Sequence, residues 1–300
     1  MAAAIEVKDL SFTHRGQCER TIQQLDFQIE HGEIFGFLGP SGAGKSTTQK
    51  ILIGILKKYE GSARVLGLEV EGSGSDFYER IGVAFEFPNF YGRFTALENL
   101  NLFRSLYKGP TEDPRELLKL VGLDTSAKLR VSQYSKGMKM RLNFIRALLN
   151  KPDILFLDEP TSGLDPVNAQ TMKKLIREQK QLGRTVLITT HQMNTAEEIC
   201  DRVAFMVDGR IPLIDSPREL KLKYGERMLR VEYESGRERE LMYAQFALDG
   251  IGSNRAYLEL LRNQRIETMH TMEATLEQIF IKVTGKKMDL NGNSMQEGFG

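Results

Sequence analysis

The segment that most constrains this chain is GPSGAGKST at positions 39–47, which follows the apolar run EIFGFL and leads into TTQKILIGIL. Glycines let the backbone turn tightly, so that successive N–H groups and the start of the next helix face one anion. A lysine at this place reaches the β- and γ-phosphates of a nucleotide, and the following hydroxyl binds Mg²⁺. The predicted phosphate contacts are Gly39, Pro40, Ser41, Gly42, Ala43, Gly44, Lys45, Ser46 and Thr47, with Ser46 also a metal ligand.

A second motif, ILFLDEP at 154–160, is an apolar strand that ends in two carboxylates. Asp158 is placed to hold the Mg²⁺ shell and Glu159 to orient or deprotonate water, because metal and attacking water lie on neighbouring sides of a γ-phosphate. A strand that simply exits into an acidic turn is the alternative. Together with a phosphate loop, the motif predicts ATP hydrolysis with Glu159 and Lys45 as catalytic residues.

Composition limits the classes of partner and compartment. The 300 residues carry 41 Lys and Arg against 40 Asp and Glu, so a nucleic-acid partner that needs a basic field is not expected. Cys18 and Cys200 lie far apart without metal-ligand spacing, which favours a reducing cytosol over a disulfide or zinc site. No signal peptide is evident and no apolar run approaches the ~20 residues of a spanning helix, so we expect a cytoplasmic protein.

The first ~215 residues alternate between short apolar strands and amphipathic helices, which predicts an α/β fold with parallel crossovers. The region of about 87–150 is expected to form a helical subdomain, and Thr95 with Glu98 has the pattern of a capping box. The predicted strands are 33–38, 81–85, 154–157, 185–189 and 202–207.

A boundary is predicted near 216–225, where SPRELKLKYGE supplies Pro, charge and Gly. We expect the first domain at 1–220 and a small α+β domain at 225–285. In the latter, a hairpin around Ser235 and Gly236, a helix at 254–264, a strand at 265–272 and a helix at 275–283 follow the hydrophobic pattern. The tail at 286–300 is expected to be disordered.

Three further motifs follow in order: VSQYSKGMKMRLNFIRALL at 131–149, TSGLDP at 161–166 and TVLITTHQM at 185–193. With them, residues ~4–220 resemble the nucleotide-binding domains of ABC transporters, which implies the ABC-type P-loop NTPase fold. The resemblance implies that Ser135 and Gly137 cap the γ-phosphate held by a second subunit. It places Asp165 in the loop that crosses the dimer interface, and His191 against the γ-phosphate. The alternative for His191 is a purely structural role at the end of a strand.

The resemblance is imperfect at several positions. Glu86 stands where the family usually has a Gln that contacts Mg²⁺ and water, and it is predicted either to contact the metal or to point to solvent. Lys136 stands where a second glycine is common, and Met138 where Gln is. His14 occupies the place of an aromatic residue that stacks on adenine. Phe12, expected on the same strand face, is the other stacking candidate, and a surface loop histidine is the alternative for His14.

The resemblance also implies partners. One chain holds one phosphate loop and one signature motif, so a homodimer or heterodimer of ATPase subunits is expected, together with a separate integral membrane permease that brings the chain to the cytosolic face of the membrane. The aromatic segment 85–94 is predicted to dock the permease or to pack locally. TLEQIFIKVTG at 275–285 resembles the closing helix of ATPases that export drugs, lipids or polysaccharides.

Two other hypotheses stay open from the sequence. One is a soluble ABC ATPase acting on ribosomes or DNA, although neither a second cassette nor long heptad arms occur. The other is a binding or regulatory module with little hydrolysis, which Glu86 and Lys136 prompt. ATP hydrolysis that powers a transporter through dimer closure is the leading hypothesis.

Overall fold

The computed structural model describes residues 3–225, 227–235, 240–272 and 274–286. The described chain forms two units, 3–216 and 217–286. The division falls between Ser216 and Pro217, within the segment where the sequence predicts a boundary, but residues 217–224 form a helix of the second unit rather than the end of the first. The predicted tail from 287 onward and the predicted hairpin turn at Gly236 lie outside the described residues.

The first unit contains ten strands and seven α-helices among its described residues. The strands of residues 3–216 are Ile5–Phe12 (β1), Ile22–Ile29 (β2), Ile34–Leu38 (β3), Glu60–Val65 (β4), Leu68–Glu69 (β5), Ile81–Ala84 (β6), Ile154–Asp158 (β7), Thr185–Thr190 (β8), Arg202–Val207 (β9) and Arg210–Asp215 (β10). The helices are Lys45–Leu52 (α1), Ser75–Arg80 (α2), Ala96–Arg104 (α3), Pro114–Leu120 (α4), Lys136–Arg146 (α5), Pro166–Gln181 (α6) and Met193–Ile199 (α7).

The main sheet has the order β10-β9-β3-β8-β7-β6, and its strands pair in parallel except for the edge strand β10. Every residue of β3, β7 and β8 is buried, as expected for strands covered on both faces. The register pairs Leu38 with Thr190 and Asp158 with Thr189. The carboxyl ends of these three strands therefore meet at one edge of the sheet.

A second, antiparallel sheet of order β2-β1-β4-β5 completes the first unit. Alternate residues of β2 are buried, because one face of this strand packs on the core. The prediction that Phe12 and His14 share a strand face is wrong, since β1 ends at Phe12. The Phe12 side chain is buried among core residues, which removes it as a platform for a base.

Helices α3, α4 and α5 fill the region predicted to be a helical subdomain. Thr95 caps α3, accepting from the Glu98 N–H while the Glu98 carboxylate accepts from the Thr95 N–H, which confirms the predicted capping box. Ser135 caps α5 in a similar way by accepting from the Met138 N–H. Residues 131–149, called the signature segment from here on, therefore contain the start of a helix whose cap residue, Ser135, is exposed.

The second unit is an α+β arrangement. Its described elements are Pro217–Tyr224 (α8), Met228–Ser235 (β11), Glu240–Ala247 (β12), Arg255–Asn263 (α9), Arg265–Met272 (β13) and Leu276–Thr284 (α10). The three strands form an antiparallel sheet of order β12-β11-β13. The helix predicted at 275–283 is present as α10, and its side chains Leu276, Ile279 and Phe280 are fully buried.

Candidate functional site

The phosphate loop joins the end of β3 to the start of α1. At two positions in this loop, Gly39 and Gly44, steric constraints explain why the residue is glycine. Gly44 has φ +106° and precedes Lys45, the first residue of α1, a conformation that L side chains rarely adopt. A Cβ on Gly39 would overlap the Met206 carbonyl of β9. The loop therefore lies directly on the sheet edge, with the first turn of α1 facing the cleft.

The Lys45 side chain lies back on the phosphate loop. Its Nζ donates to the carbonyl oxygens of Gly39 at 2.6 Å and Pro40 at 3.0 Å. Burial lowers the pKa of Lys45, and the nearby carboxylates of Glu159, Asp158 and Glu86 act in the opposite direction. The ammonium is thus held at the floor of the cleft among three carboxylates.

Asp158 ends β7 beside the first turn of α1. Its Oδ1 accepts from the Ser46 hydroxyl at 3.2 Å and from the Thr189 hydroxyl. A hydroxyl and a carboxylate are the hard oxygen donors that Mg²⁺ prefers, and this ion usually takes its other ligands from phosphates and water. The described residues hold no cluster of three or more His, Cys, Asp or Glu suited to a metal. The pair Ser46 and Asp158 fits a nucleotide-bound Mg²⁺ rather than an all-protein metal site.

Glu159 is buried and fixed on both carboxylate oxygens. Oε2 accepts from the Thr190 hydroxyl at 3.0 Å, and Oε1 accepts from the His191 main-chain N–H at 2.9 Å. The His191 Nδ1 lies 2.7 Å from the same Oε1. Glu159 also adopts φ +48°, in the left-handed region. The carboxylate is therefore oriented by the end of the neighbouring strand β8.

The charges of the site shift two further titratable groups. The hydrogen bond to Glu159 raises the pKa of His191, against the opposing effect of burial. Burial raises the pKa of Glu86, and the carboxylates of Asp158 and Glu159 raise it further, while His191 and Lys136 lower it. Glu86 thus faces the site rather than open solvent.

These groups surround a cleft of 330 Å³. The residues that line it are Thr21, Ser41, Gly42, Ala43, Gly44, Lys45, Ser46, Thr47, Glu86, Glu159 and His191. Thr21 lines the cleft although no sequence motif marks it. Thr189 and Thr190, which hold the carboxylates of Asp158 and Glu159, were also not among the predicted site residues. Thr189 and Thr190 could have been predicted, because they stand immediately before His191 at the end of an apolar strand.

The predicted nucleotide contacts that do not line the cleft are Gly39, Pro40, His14, Ser135, Gly137 and Asp165. Among the described residues that line the cleft, none comes from the signature segment 131–149, so Ser135 and Gly137 are not brought to it. Asp165 caps α6 by accepting from the Val167 and Asn168 N–H groups. The Asn168 side chain also donates to Asp165 and lowers the pKa of this carboxyl. Within one chain, Ser135 and Asp165 serve as helix caps, and Gly137 lies in the first turn of α5.

His14 follows β1 in a loop, half-buried, with its ring edge-on to Phe12 at a centroid distance of 4.9 Å. It is not among the residues that line the cleft. Cys18, in the same loop, is exposed and Cys200 is buried, and neither forms a disulfide.

The aromatic segment 85–94 divides into two sets. Phe90 packs internally, because the Arg146 guanidinium lies over its ring and over that of Phe103. Phe87 is 80% exposed, and Tyr91 and Phe94 are also exposed. The segment therefore contributes both to local packing and to an apolar surface.

Comparisons with known proteins identify the class of this chain. The family described as "ABC transporter" matches residues 22–162. The chain is 52% identical over 284 residues to a fluoroquinolones export ATP-binding protein of Mycobacterium tuberculosis, covering 95% of this chain and 94% of that one. It is 33% identical over 312 residues to the Nod factor export ATP-binding protein I of Neorhizobium galegae, covering 95% and 86%.

Solved structures give the same class. The dimeric, post-hydrolysis ATP-binding cassette MJ0796 bound to ADP and Pi has a TM-score of 0.64 at 28% identity, covering 71% of this chain and 98% of that one. An ATP-binding subunit of an ABC transporter has a TM-score of 0.67 at 29% identity, covering 74% and 93%.

The chain belongs to the ATP-binding proteins of ABC transporters, and it is a nucleotide-binding ATPase whose partner is a membrane permease. Within that class it is the ATP-binding subunit of an exporter. Residues 227–273 match the family described as "Fluoroquinolone efflux ABC transporter C-terminal domain". No helix among the described residues has the length and apolar character to cross a bilayer.

Proposed function

We propose that Glu159 is the general base of this ATPase and that His191 steadies both the base and the γ-phosphate. The observation that carries the proposal is the double contact of His191 with the Glu159 carboxylate, at the edge of the phosphate-loop cleft. A carboxylate fixed on both oxygens holds water in one orientation, which favours in-line attack. Lys45 leaves its two carbonyl partners to bind the β- and γ-phosphates.

Ser46 and Asp158 are proposed as the protein ligands of Mg²⁺, and Glu86 as a residue that contacts the metal or its water. A metal ion held by these residues would neutralise part of the charge of the nucleotide phosphates. Thr189 holds the Asp158 carboxylate in place. The side chains thereby keep the oxygen donors on the β7 side of the cleft, next to the base.

A second ATPase subunit is proposed to complete the site. In one chain the cleft is open, and the described lining contains no residue of the signature segment. The exposed cap Ser135 and the neighbouring Gly137 of a partner subunit supply donors at a helix N-terminus for the γ-phosphate. Asp165 stands at the start of α6, on the loop proposed to cross the dimer interface. A homodimer is the simplest assembly, and a heterodimer uses the same contacts.

The exposed aromatic side chains Phe87, Tyr91 and Phe94 are proposed as the permease docking surface. Large exposed apolar side chains gathered in one short segment are typical of a surface that a partner covers. Docking there places the chain on the cytosolic face of the membrane. Phe87 on this surface directly follows Glu86, which lines the cleft. A partner bound to the surface therefore contacts the same short segment that reaches the nucleotide cleft.

The proposed cargo is a fluoroquinolone or a similar planar amphiphilic drug. The support is the 52% identity with a fluoroquinolones export ATP-binding protein across nearly the whole chain and the match of residues 227–273 to the efflux C-terminal domain. Cargo recognition itself is assigned to the permease, since the described cleft fits a nucleotide.

The test is steady-state ATP hydrolysis by the chain assembled with its permease in proteoliposomes. We expect Mg²⁺-dependent turnover that the drug stimulates, abolished in Lys45→Ala. The matched control Lys174→Met removes the same charge from an exposed position on α6 and should leave turnover unchanged. An assembled complex that binds ATP without hydrolysing it would overturn the assignment of Glu159, and drug-independent turnover without transport would overturn the cargo.

A further inference from the structure

Two side chains near the end of helix α5 hold the backbone that follows strand β6. Asn143 donates from Nδ2 to the Phe85 carbonyl at 2.7 Å. Arg146 stands three residues further along the helix and therefore on the same face. It donates to the Val83 carbonyl at 3.3 Å and, through a longer bond of 3.5 Å, to the Asn89 carbonyl. One face of α5 therefore fixes the path of this segment.

Aromatic rings hold the Arg146 side chain in place. Its guanidinium carbon lies 5.4 Å from the centroid of the Phe90 ring and 5.2 Å from that of the Phe103 ring. Because Phe103 belongs to α3, the guanidinium joins three parts of the chain, namely α5, α3 and the segment after β6. A planar guanidinium both stacks on rings and donates in its own plane, so a lysine could not replace all of these contacts.

The segment held in this way connects two sites. Glu86 lines the nucleotide cleft, and Phe87, directly after it, is 80% exposed on the proposed docking surface. The carbonyls that accept from α5 lie on both sides of these two residues. At its other end, α5 is capped by Ser135, which is proposed to reach the nucleotide of the partner subunit. A helix of 11 residues, about 16 Å long, therefore separates the cap from the held segment.

We propose that Asn143 and Arg146 are positioning residues that couple permease binding at Phe87 to the Ser135 end of α5. A helix moves as a rigid element, so a displacement of the segment after β6 also displaces the cap. The permease thereby acts on the nucleotide of the opposite subunit as well as on the cleft that contains Glu86. The proposal rests on the proposed function in two respects, the docking surface and the role of Ser135.

Permease-stimulated ATP hydrolysis by Arg146→Lys tests the proposal, because lysine keeps the charge but loses the planar contacts. The stimulation ratio is the turnover with the permease divided by the turnover without it. We expect this ratio to fall by about threefold or more, while turnover of the isolated subunit stays within about twofold of the parent. Arg141→Lys is the matched control on the same helix. Arg141 donates to the Val121 carbonyl at the end of α4, so its replacement should leave the ratio unchanged.

Phe103→Leu tests the same contacts from the α3 side. Leucine keeps an apolar side chain but removes the face of the ring, so we expect the stimulation ratio to fall by about twofold. In the Arg146→Lys background the same change should add little, because the contact that it removes is already lost. Thermal unfolding checks that each variant is folded.

Phe87→Ala separates this proposal from the proposed function. Phe87→Ala should weaken binding of the permease, which Arg146→Lys should leave intact. Full binding by Phe87→Ala would overturn the docking surface, and the stimulation ratio of Arg146→Lys would still decide the role of Arg146. An unchanged ratio in Arg146→Lys, including an equal loss of turnover with and without the permease, would overturn the proposal, because a purely structural role lowers both rates together.

Discussion

His191 contacts the Glu159 carboxylate through both its main chain and its ring, at 2.9 Å and 2.7 Å, on the single oxygen Oε1. The other oxygen accepts from the Thr190 hydroxyl at 3.0 Å. Two consecutive residues at the end of β8 therefore hold a carboxylate that follows β7. Because β7 and β8 pair in parallel, with Asp158 opposite Thr189, the register of the sheet fixes this arrangement.

Glu159→Gln should separate ATP binding from turnover. The amide keeps the size of the side chain but cannot accept a proton from water, so we expect kcat to fall by at least about 100-fold while ATP binding is retained. Without hydrolysis, the site shared by the two ATPase subunits does not reopen, so the ATP-bound dimer should accumulate. Light scattering with ATP and Mg²⁺ measures this, and a variant that stays monomeric would contradict dimer closure around the base.

Thr190→Val should lower kcat without a comparable change in KM. The substitution preserves the β-branched shape at a buried position but removes the hydroxyl that donates to Glu159 and accepts from the Gln192 N–H. A buried acceptor left without its donor costs about 1–3 kcal/mol, so we expect a roughly tenfold loss of kcat. Thr190→Ser retains the hydroxyl and is the matched control. Equal losses in the two variants would show that packing, not the hydrogen bond, matters.

The contact between His191 and Glu159 should make stability depend on pH. Since the folded protein raises the pKa of His191 above its ordinary value of 6.5, the contact stabilises the protonated ring. The contribution of the contact to stability is fully present below the ordinary pKa of 6.5, and it is lost as the pH rises through the raised pKa of the folded protein. The Tm difference between the parent and His191→Gln should therefore be largest below pH 6.5 and shrink as the pH rises above it. His31→Gln, at an exposed position, is the control, and a difference that grows with pH would contradict the sign.

Gly39→Ala should destabilise the fold at the start of the phosphate loop. The new methyl group would overlap the Met206 carbonyl, and the cost of overpacking is typically about 1–3 kcal/mol. Gly74→Ala is a matched control, because a Cβ there meets nothing within 4 Å and neither glycine requires positive φ. Denaturant unfolding compares the two. A similar loss in both variants would mean that the contact with β9 is not the cause.

Much of the main sheet could be predicted because its central strands are short apolar runs whose ends coincide with motifs. β9 has the predicted bounds Arg202–Val207, and β7 and β8 are each one residue longer than predicted, adding Asp158 and Thr190. The antiparallel sheet was not foreseen. β4 has the largely polar sequence EGSARV. Its pairing with β1 joins residues 49 to 60 positions apart, from Ser11 with Glu60 to Ile5 with Val65, and a local sequence pattern does not predict such a distant pairing.

The candidate site shows the same division between local and distant information. The phosphate loop and the DE pair are contiguous motifs, so the sequence alone places them. Thr21 lines the cleft because the loop after β1 folds back to it, and nothing in its immediate sequence marks that role. Glu86 stands out as a departure from the family's pattern, yet its place in the lining of the cleft depends on the fold of the whole unit.

The backbone of Glu159 carries one more consequence. A side chain with a β-carbon at φ +48° is strained, by an amount on the order of 1 kcal/mol, and glycine or asparagine tolerates this conformation better. Selection for thermal robustness alone would favour replacing the glutamate at this position. At this residue, proposed to activate water, the substitutions that would stabilise the protein are therefore different from the residue that ATP hydrolysis requires.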